Sequence, residues 1–231
     1  MKKEGYVFLA SIGSIFAAII ILFLLNSGSG FGIPIRLFAL LGLTSMFVAS
    51  MITPFQKELY KIFKVPFLKI HHYLTIFGLT VITLHPVLSA IETAIATTAR
   101  IGASVFLPDF SSAYGFWSLA GRPALIIIYI AVTGALIRKG FKKGWRWMHA
   151  LNYIALLFGV VHGIMSGSDF YNFQIPVSAN TTGFIMTIMF LIMITMTIAT
   201  FTLKRIQIYK LKQKRVVEQE EKEEELKTEE E

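Results

Sequence analysis

The chain has no cysteine. Disulfide bonds, cysteine-ligated zinc, iron–sulfur clusters and haem attached through a C-x-x-C-H motif are therefore excluded. Charged residues are also scarce, because they make up 16% of the 231 residues whereas 55% are hydrophobic. A typical soluble domain has about 25% charged residues. The composition therefore predicts a protein that lies in a membrane.

Acidic residues are almost absent from the apolar part of the chain. Nine of the 14 Asp and Glu lie in the last stretch, 218–231. Transporters of protons or metal ions commonly place carboxylates within their membrane spans. A metal or proton transporter is therefore the weaker alternative for this chain, and it stays open at this point.

Six apolar segments are each long enough to span a hydrocarbon core of about 30 Å. They cover 6–25, 34–52, 70–91, 116–137, 147–166 and 182–203. We therefore predict an all-α, polytopic membrane bundle of six transmembrane helices over 1–203. Residues 204–231 are predicted to form a charged cytoplasmic tail that is partly disordered, because a helix there would place acids at its C-terminus.

The basic residues indicate how the bundle is oriented. Nineteen of the 22 Lys and Arg lie near the N-terminus, in 53–69, in 138–146 or in the tail. Lysine and arginine concentrate in cytoplasmic loops, so both termini are predicted to be cytoplasmic and spans three and five to run outward. We expect a multi-pass protein of the cell membrane. The net charge of +8 then reflects orientation, and no nucleic-acid partner is expected.

Two of the predicted spans carry two histidines each. His71 and His85 lie 14 residues apart in the third span, and His149 and His162 lie 13 residues apart in the fifth. At about 1.5 Å per residue, each separation covers about 20 Å of helix. Histidine is costly inside a bilayer and indicates function there. The pattern predicts two metal sites, an inner one at His71 and His149 and an outer one at His85 and His162.

Neutral imidazole is a standard axial ligand of haem iron. Two histidines on opposite sides of one iron leave no open coordination position, so such a haem transfers electrons without binding oxygen at the metal. The helical phase suits the third span, where the two histidines lie about 40° apart, better than the fifth, where they lie about 140° apart. The nearby glycines are Gly78, Gly159 and Gly163, and small residues of this kind allow a planar group or a neighbouring helix to approach.

Three further residues are candidates for cofactor binding. His72 is an alternative inner ligand, but His71 is preferred because its phase matches that of His85; His72 would then bond a propionate or an interfacial group. Arg36 and Arg122 lie near the outer ends of spans two and four. Each either extends to the interface or pairs with a propionate of the outer haem. Arg36 could also attract an anionic electron acceptor.

The histidine motifs also carry a family resemblance. They are His71-His72-Tyr73 through Leu84-His85, and Trp147-Met148-His149 with Tyr153 through Val161-His162. With these motifs, about residues 30–170 resemble the ferric reductase-like transmembrane domain family. That family includes ferric reductases, NADPH oxidases and the haem subunit of a bacterial methionine-sulfoxide reductase system. The resemblance implies that the four histidines ligate two non-covalent b-type haems (heme b), with Arg36 near the outer haem.

Two departures from the family refine the expected function. Ferric reductases and oxidases carry a flavin and NADPH domain after span six, whereas the segment after Leu203 is here the charged tail 204–231. The oxidases also have another histidine one turn beyond the outer ligand, and this chain has Ser89 at that position. We therefore expect a cytochrome that takes electrons from a separate cytoplasmic reductase or flavoprotein, a bound FMN or FAD, or a quinone. The electrons would leave to an external acceptor. A membrane anchor for a partner enzyme is a further alternative.

Overall fold

This computed structural model describes residues 3–26, 30, 32–142, 144–171, 173 and 176–229. Within them, the backbone forms nine α-helices and no strand. In chain order the helices are α1 (Lys3–Leu25), α2 (Gly32–Ile52), α3 (Gln56–Phe63), α4 (Phe67–Ala96), α5 (Ala99–Ser104), α6 (Ala113–Ser118), α7 (Gly121–Leu136), α8 (Trp145–Ser166) and α9 (Thr181–Glu229). Two single-turn 3-10 helices, Thr53–Phe55 and Val177–Ala179, precede α3 and α9.

The predicted all-α membrane bundle is confirmed. Five helical stretches of the described chain are long and apolar enough to cross a membrane: Lys3–Leu25, Gly32–Phe63, Leu68–Ala96, Trp145–Ser166 and Thr181–Glu220. The sixth apolar helix, α7, has 16 residues. At about 1.5 Å per residue it covers about 24 Å, which is shorter than the predicted fourth span.

The fourth span is not the continuous helix predicted for 116–137. It is divided into α6, which ends at Ser118, and α7, which begins at Gly121. The cause is Pro123, which has no N–H to donate to the carbonyl of Leu119 and is tolerated only in a first turn. The Arg122 N–H bonds to the Leu119 carbonyl instead, at 2.9 Å. In a continuous helix the Arg122 N–H would donate to the Ser118 carbonyl. That carbonyl therefore lacks this helical hydrogen bond and can accept from another donor.

Helices α4 and α9 extend furthest beyond the predicted spans. α4 exceeds 70–91 at both ends. α9 does not end at 203 but continues through the predicted tail to Glu229, and an ion pair between Lys214 and Glu218 at 3.7 Å lies in this extension. The disorder expected at the end of the tail stays a prediction. Lys2, Lys143 and residues 230–231 lie outside the described residues.

The core of the bundle is centred on α2. Its buried side chains include Met46 and Phe47, and Phe47 meets Phe190 of α9 edge to face with ring centres 6.2 Å apart. The buried hydroxyl of Thr44 donates to the Leu40 carbonyl at 2.6 Å. In lipid, helices associate through such close packing rather than through the hydrophobic effect. α2 therefore supports α1, α4, α8 and α9, which all contact it.

The closest helix pairs are α2 with α4 and α7 with α8. A Cβ on Gly42 of α2 would lie 2.8 Å from the Ile82 backbone of α4, so this approach requires glycine. The glycines expected to admit a planar group also meet protein. Cβ atoms there would contact Met46 and Ser45 from Gly78, Leu43 from Gly159, and Phe170 from Gly163. These three glycines therefore serve close helix packing, which is one of the two roles expected of them, and the approach of a planar group stays a prediction.

Candidate functional site

The four membrane histidines lie in two facing pairs on α4 and α8. The ring centres of His71 and His149 are 6.2 Å apart, and those of His85 and His162 are 6.4 Å apart. The inner pair lies at the basic end of the bundle, where α2 and α7 end and α4 and α8 begin. The separation of the two histidines in α8 therefore does not prevent both of them from meeting α4 partners.

All four histidines are held through the same ring atom. In each, Nδ1 lies within hydrogen-bond distance of a backbone carbonyl: His71 of Ala49 (3.3 Å), His85 of Ile35 (2.9 Å), His149 of Ala131 (3.2 Å) and His162 of Ser118 (2.6 Å). A carbonyl only accepts, so Nδ1 carries the hydrogen and donates it. In the neutral imidazole the lone pair then lies on Nε2, the ring atom through which such a histidine would bind a metal.

The supporting carbonyls repeat the spacing of the histidines. In α2, the Ala49 carbonyl accepts from His71 and the Ile35 carbonyl accepts from His85. Ile35 and Ala49 are 14 residues apart, as are the two histidines of α4. Ser118 and Ala131 are likewise separated by the same interval as the two histidines of α8. Helices rise at the same rate per residue, so α2 presents carbonyls at the two depths where the α4 histidines occur. Behind α8, one carbonyl comes from the end of α6 and the other from α7. The histidine spacing in α8 thus matches the chain segment behind it.

The ring separations match two imidazoles bound to one metal. Metal–imidazole bonds are about 2.0–2.1 Å long, and the ring centre lies about 1.1 Å behind Nε2, so opposed rings on one ion have centres about 6.3 Å apart. The observed separations of 6.2 and 6.4 Å lie just on either side of that value. Both pairs therefore have the ring spacing that two histidines would have if they bound one metal ion.

The donor set suits haem better than an isolated ion. Among the described residues, no group of three or more His, Cys, Asp and Glu could hold a metal ion. A structural zinc site needs four such ligands, whereas haem brings its own four nitrogens and needs only two axial ligands. α4 packs mainly on α2, and α8 mainly on α7, so the histidines bridge two tightly packed helix pairs. The residues present therefore fit two bis-histidine haems.

Two glycines of α7 support the α8 histidines, and sequence reasoning missed them. A Cβ on Gly121 would lie 2.7 Å from Cδ2 of His162, and a Cβ on Gly134 would lie 2.5 Å from Cβ of Met148, next to His149. Only glycine allows α7 to approach this closely at either histidine. The signal was present in the sequence, because Gly121 and Gly134 are separated by the same interval as His149 and His162.

The outer α8 histidine has a second group within hydrogen-bond distance of its Nδ1. Ser166 lies one turn further along α8, with its hydroxyl 3.0 Å from Nδ1 of His162. The same hydroxyl donates to the His162 carbonyl at 2.8 Å, so its oxygen can accept from Nδ1. The Ser118 carbonyl at 2.6 Å is the one that lacks its helical hydrogen bond at the break between α6 and α7. That break, absent from the prediction, therefore positions a candidate ligand.

His71, rather than His72, faces the α8 histidine. His72 is exposed, and its ring centre lies 6.2 Å from that of His71. The ring of His71 is half-buried and faces His149. The geometry therefore favours His71 as the inner ligand. A bond from His72 to a propionate stays a prediction.

No family model, curated protein or solved structure matches this chain. The resemblance to the ferric reductase-like family therefore remains a prediction that rests on the histidine motifs.

Arg36 is engaged with a residue that sequence reasoning did not consider. Its Nε donates to Oδ2 of Asp169 at 2.8 Å, and its Nη2 bonds to the other carboxylate oxygen and to the Asn26 carbonyl. The guanidinium also lies 5.3 Å from the ring centre of Phe23. Arg36 thus joins α2 to the segment after α8. A role toward a propionate or an anionic acceptor stays a prediction, and it would compete with this ion pair.

Arg122 lies at the outer pair but is turned toward a connecting segment. Its Nη1 donates to the carbonyls of Leu107 at 2.8 Å and Ser104 at 3.1 Å. Arg122 therefore holds the segment between α5 and α6 beside the outer pair. Its predicted pairing with a propionate remains untested.

Proposed function

We propose that this protein is a transmembrane b-type cytochrome. His71 with His149 would hold one haem and His85 with His162 a second, and the two haems would supply one-electron chemistry for transfer from the basic end to the opposite side. The observation that carries this proposal is the pair of ring separations, 6.2 and 6.4 Å, with each Nδ1 placed on a carbonyl.

The chain's own residues hold the imidazoles before any cofactor binds. Because each Nδ1 donates to a carbonyl, the tautomer and the orientation of the ring are set, and the basicity of Nε2 is raised. When bound, haem supplies a one-electron couple. Two histidines of the chain would hold each haem, which would favour electron transfer over chemistry at the metal. Holding both rings in place also limits the rearrangement that accompanies a change of charge.

The basic end is the proposed side of electron entry. The Trp145 ring centre lies 6.3 Å from that of His149, and the Arg146 guanidinium lies 5.7 Å from the Trp145 ring centre. Arg138, Lys139 and Lys142 are exposed in the adjoining connector. An acidic surface on a separate reductase or flavoprotein would complement these charges. A bound FMN or FAD, or a quinone, is the other donor class that we propose.

Haem analysis of purified variants tests this proposal. Wild-type protein expressed with ample haem should contain two haems per chain and show b-type Soret and α bands that shift on reduction by dithionite. His85→Ala and His149→Ala should each lose about one haem, because each removes one axial ligand of a different pair. His72→Ala is the matched control, since it removes an exposed histidine next to a ligand, and it should keep both haems.

Two outcomes would overturn the proposal. One is colourless wild-type protein that is folded and was expressed with ample haem. The other is equal haem content in wild type and in the His85→Ala and His149→Ala variants. Metal-dependent uptake by vesicles that contain the haem-free protein would instead favour the transporter alternative.

A further inference from the structure

A pocket of about 450 Å³ lies at the basic end, between α3 and the start of α4. It is lined by Gln56, Lys57, Tyr60, Lys61, Pro66 and Leu68. None of these residues takes part in the histidine sites. Four of them belong to α3. Gln56 and Tyr60 are four positions apart, as are Lys57 and Lys61, so all four lie on one side of the helix.

The other face of α3 attaches the helix to the bundle. Leu59 is buried, and Phe63 meets Phe8 of α1 edge to face with ring centres 5.6 Å apart. The helix ends at Phe63, and Lys64 is its C-cap residue, with a left-handed φ of 55°. The Lys64 N–H donates to the Tyr60 carbonyl at 2.9 Å. α3 is therefore an amphipathic helix that is fixed on its apolar side and presents the pocket on its polar side.

The pocket has an excess of positive charge. Lys57 and Lys61 are four positions apart and therefore on one face of α3. Glu58, the acid of this helix, has its carboxylate 3.4 Å from Nζ of Lys204 on α9, and Lys61 is close enough to act on it. Within the described chain, neither Lys57 nor Lys61 has a carboxylate within ion-pair distance. An anion in the pocket would therefore meet two lysines.

The walls of the pocket are apolar. Tyr60 and Leu68 are about half exposed, at 53% and 48%, and Pro66 completes the wall beside them. The pocket also lies where α2 ends and α4 begins its long apolar stretch. In a bundle that spans a membrane, this end would lie near the level of the lipid phosphates. A cationic rim above an apolar wall matches a molecule that has a phosphate and a hydrocarbon chain.

We propose that this pocket binds an anionic phospholipid. The phosphate lies between Lys57 and Lys61, and the upper part of an acyl chain lies along Tyr60 and Leu68. A zwitterionic lipid carries its own cation next to the phosphate and gains less from two lysines. Basic pockets at the cytoplasmic ends of membrane helices bind anionic headgroups for the same reason.

Native mass spectrometry of the full-length protein tests the site. Protein in detergent is titrated with phosphatidylglycerol or phosphatidylcholine, and the retained lipid is counted for each variant. Lys57→Gln with Lys61→Gln should weaken phosphatidylglycerol retention about 30-fold, since each lysine near a charged headgroup contributes about a fivefold factor. The matched control is Lys139→Gln with Lys142→Gln, which removes the same charge from another connector and should change retention little. Lys57→Arg with Lys61→Arg should retain the lipid.

The proposal is overturned if the pocket and control variants lose phosphatidylglycerol equally, or if the pocket variant retains it as wild type does. Parallel titrations with inorganic phosphate and with FMN distinguish a soluble phosphate from a lipid. FMN binding that requires both lysines, without preference for phosphatidylglycerol, would also overturn it. The haem spectrum should be unchanged in the pocket variant, so this test succeeds or fails independently of the proposed cytochrome function.

Discussion

Removal of either partner of the Arg36–Asp169 ion pair is expected to destabilise the bundle unequally. The side chain of Asp169 is 5% exposed and that of Arg36 is 20% exposed. Arg36→Leu leaves a buried carboxylate without its cation, and such a loss costs about 3–5 kcal/mol. Asp169→Asn costs less, about 2 kcal/mol, because the guanidinium is partly solvated, keeps the Asn26 carbonyl, and can still donate to the new amide oxygen.

The measurement is the free energy of unfolding in mixed detergent micelles. Arg100→Leu is the control, because Arg100 is exposed and surface changes usually stay within about 0.5 kcal/mol. The double variant Arg36→Leu with Asp169→Leu should recover part of the loss, since no unpaired charge remains buried. Ile35 precedes Arg36 in the chain, and its carbonyl accepts from His85 at 2.9 Å. We therefore also expect Arg36→Leu to lower the occupancy of the outer haem before that of the inner haem.

Two results would refute this reasoning. If Arg36→Leu costs no more than Arg100→Leu, the pair contributes nothing to stability. If the double variant is as unstable as Arg36→Leu alone, the loss comes from packing rather than from an unpaired carboxylate. Equal loss of both haems would show that the pair supports the bundle as a whole and has no preference for the outer site.

Two further variants test other parts of the structure. Gly121→Ala would place a Cβ 2.7 Å from the ring of His162, so it should lower occupancy of the outer haem by spectroscopic haem count, whereas Gly13→Ala, which meets nothing within 4 Å, should not. Phe47→Ala removes a fully buried ring from the core and should lower the free energy of unfolding by about 3 kcal/mol through the cavity that it leaves; a loss below about 0.5 kcal/mol, the size of a surface change, would contradict the central place of α2.

Much of the architecture could be predicted from local sequence. Spans follow from runs of apolar residues, since lipid requires about 20 of them to cross the hydrocarbon core as a helix. The two histidine separations were equally readable, because the rise per residue is constant and converts sequence distance into depth. The depth pairs that this predicted, His71 with His149 and His85 with His162, are the rings that face each other.

The break in the fourth span shows where local averaging fails. Mean hydropathy over 116–137 is high enough to indicate one helix, but Pro123 withholds a single N–H and divides the segment at Ser118. An average taken over a whole span does not register one missing donor. The consequence is a carbonyl 2.6 Å from Nδ1 of His162, which no count of apolar residues would have placed there.

The sequence by itself determined that this chain forms membrane helices and at which depths its histidines lie, because both depend on properties that sum along one helix. Only the tertiary structure decided which groups meet across helices: Asp169 for Arg36, far apart in the chain, His71 rather than His72 for His149, and a separate carbonyl for each Nδ1. Those choices depend on how neighbouring helices are rotated and on the register at which they pack. Rotation and register are set by contacts such as Gly121 on His162 and Gly42 on Ile82, which join residues that are distant in the chain.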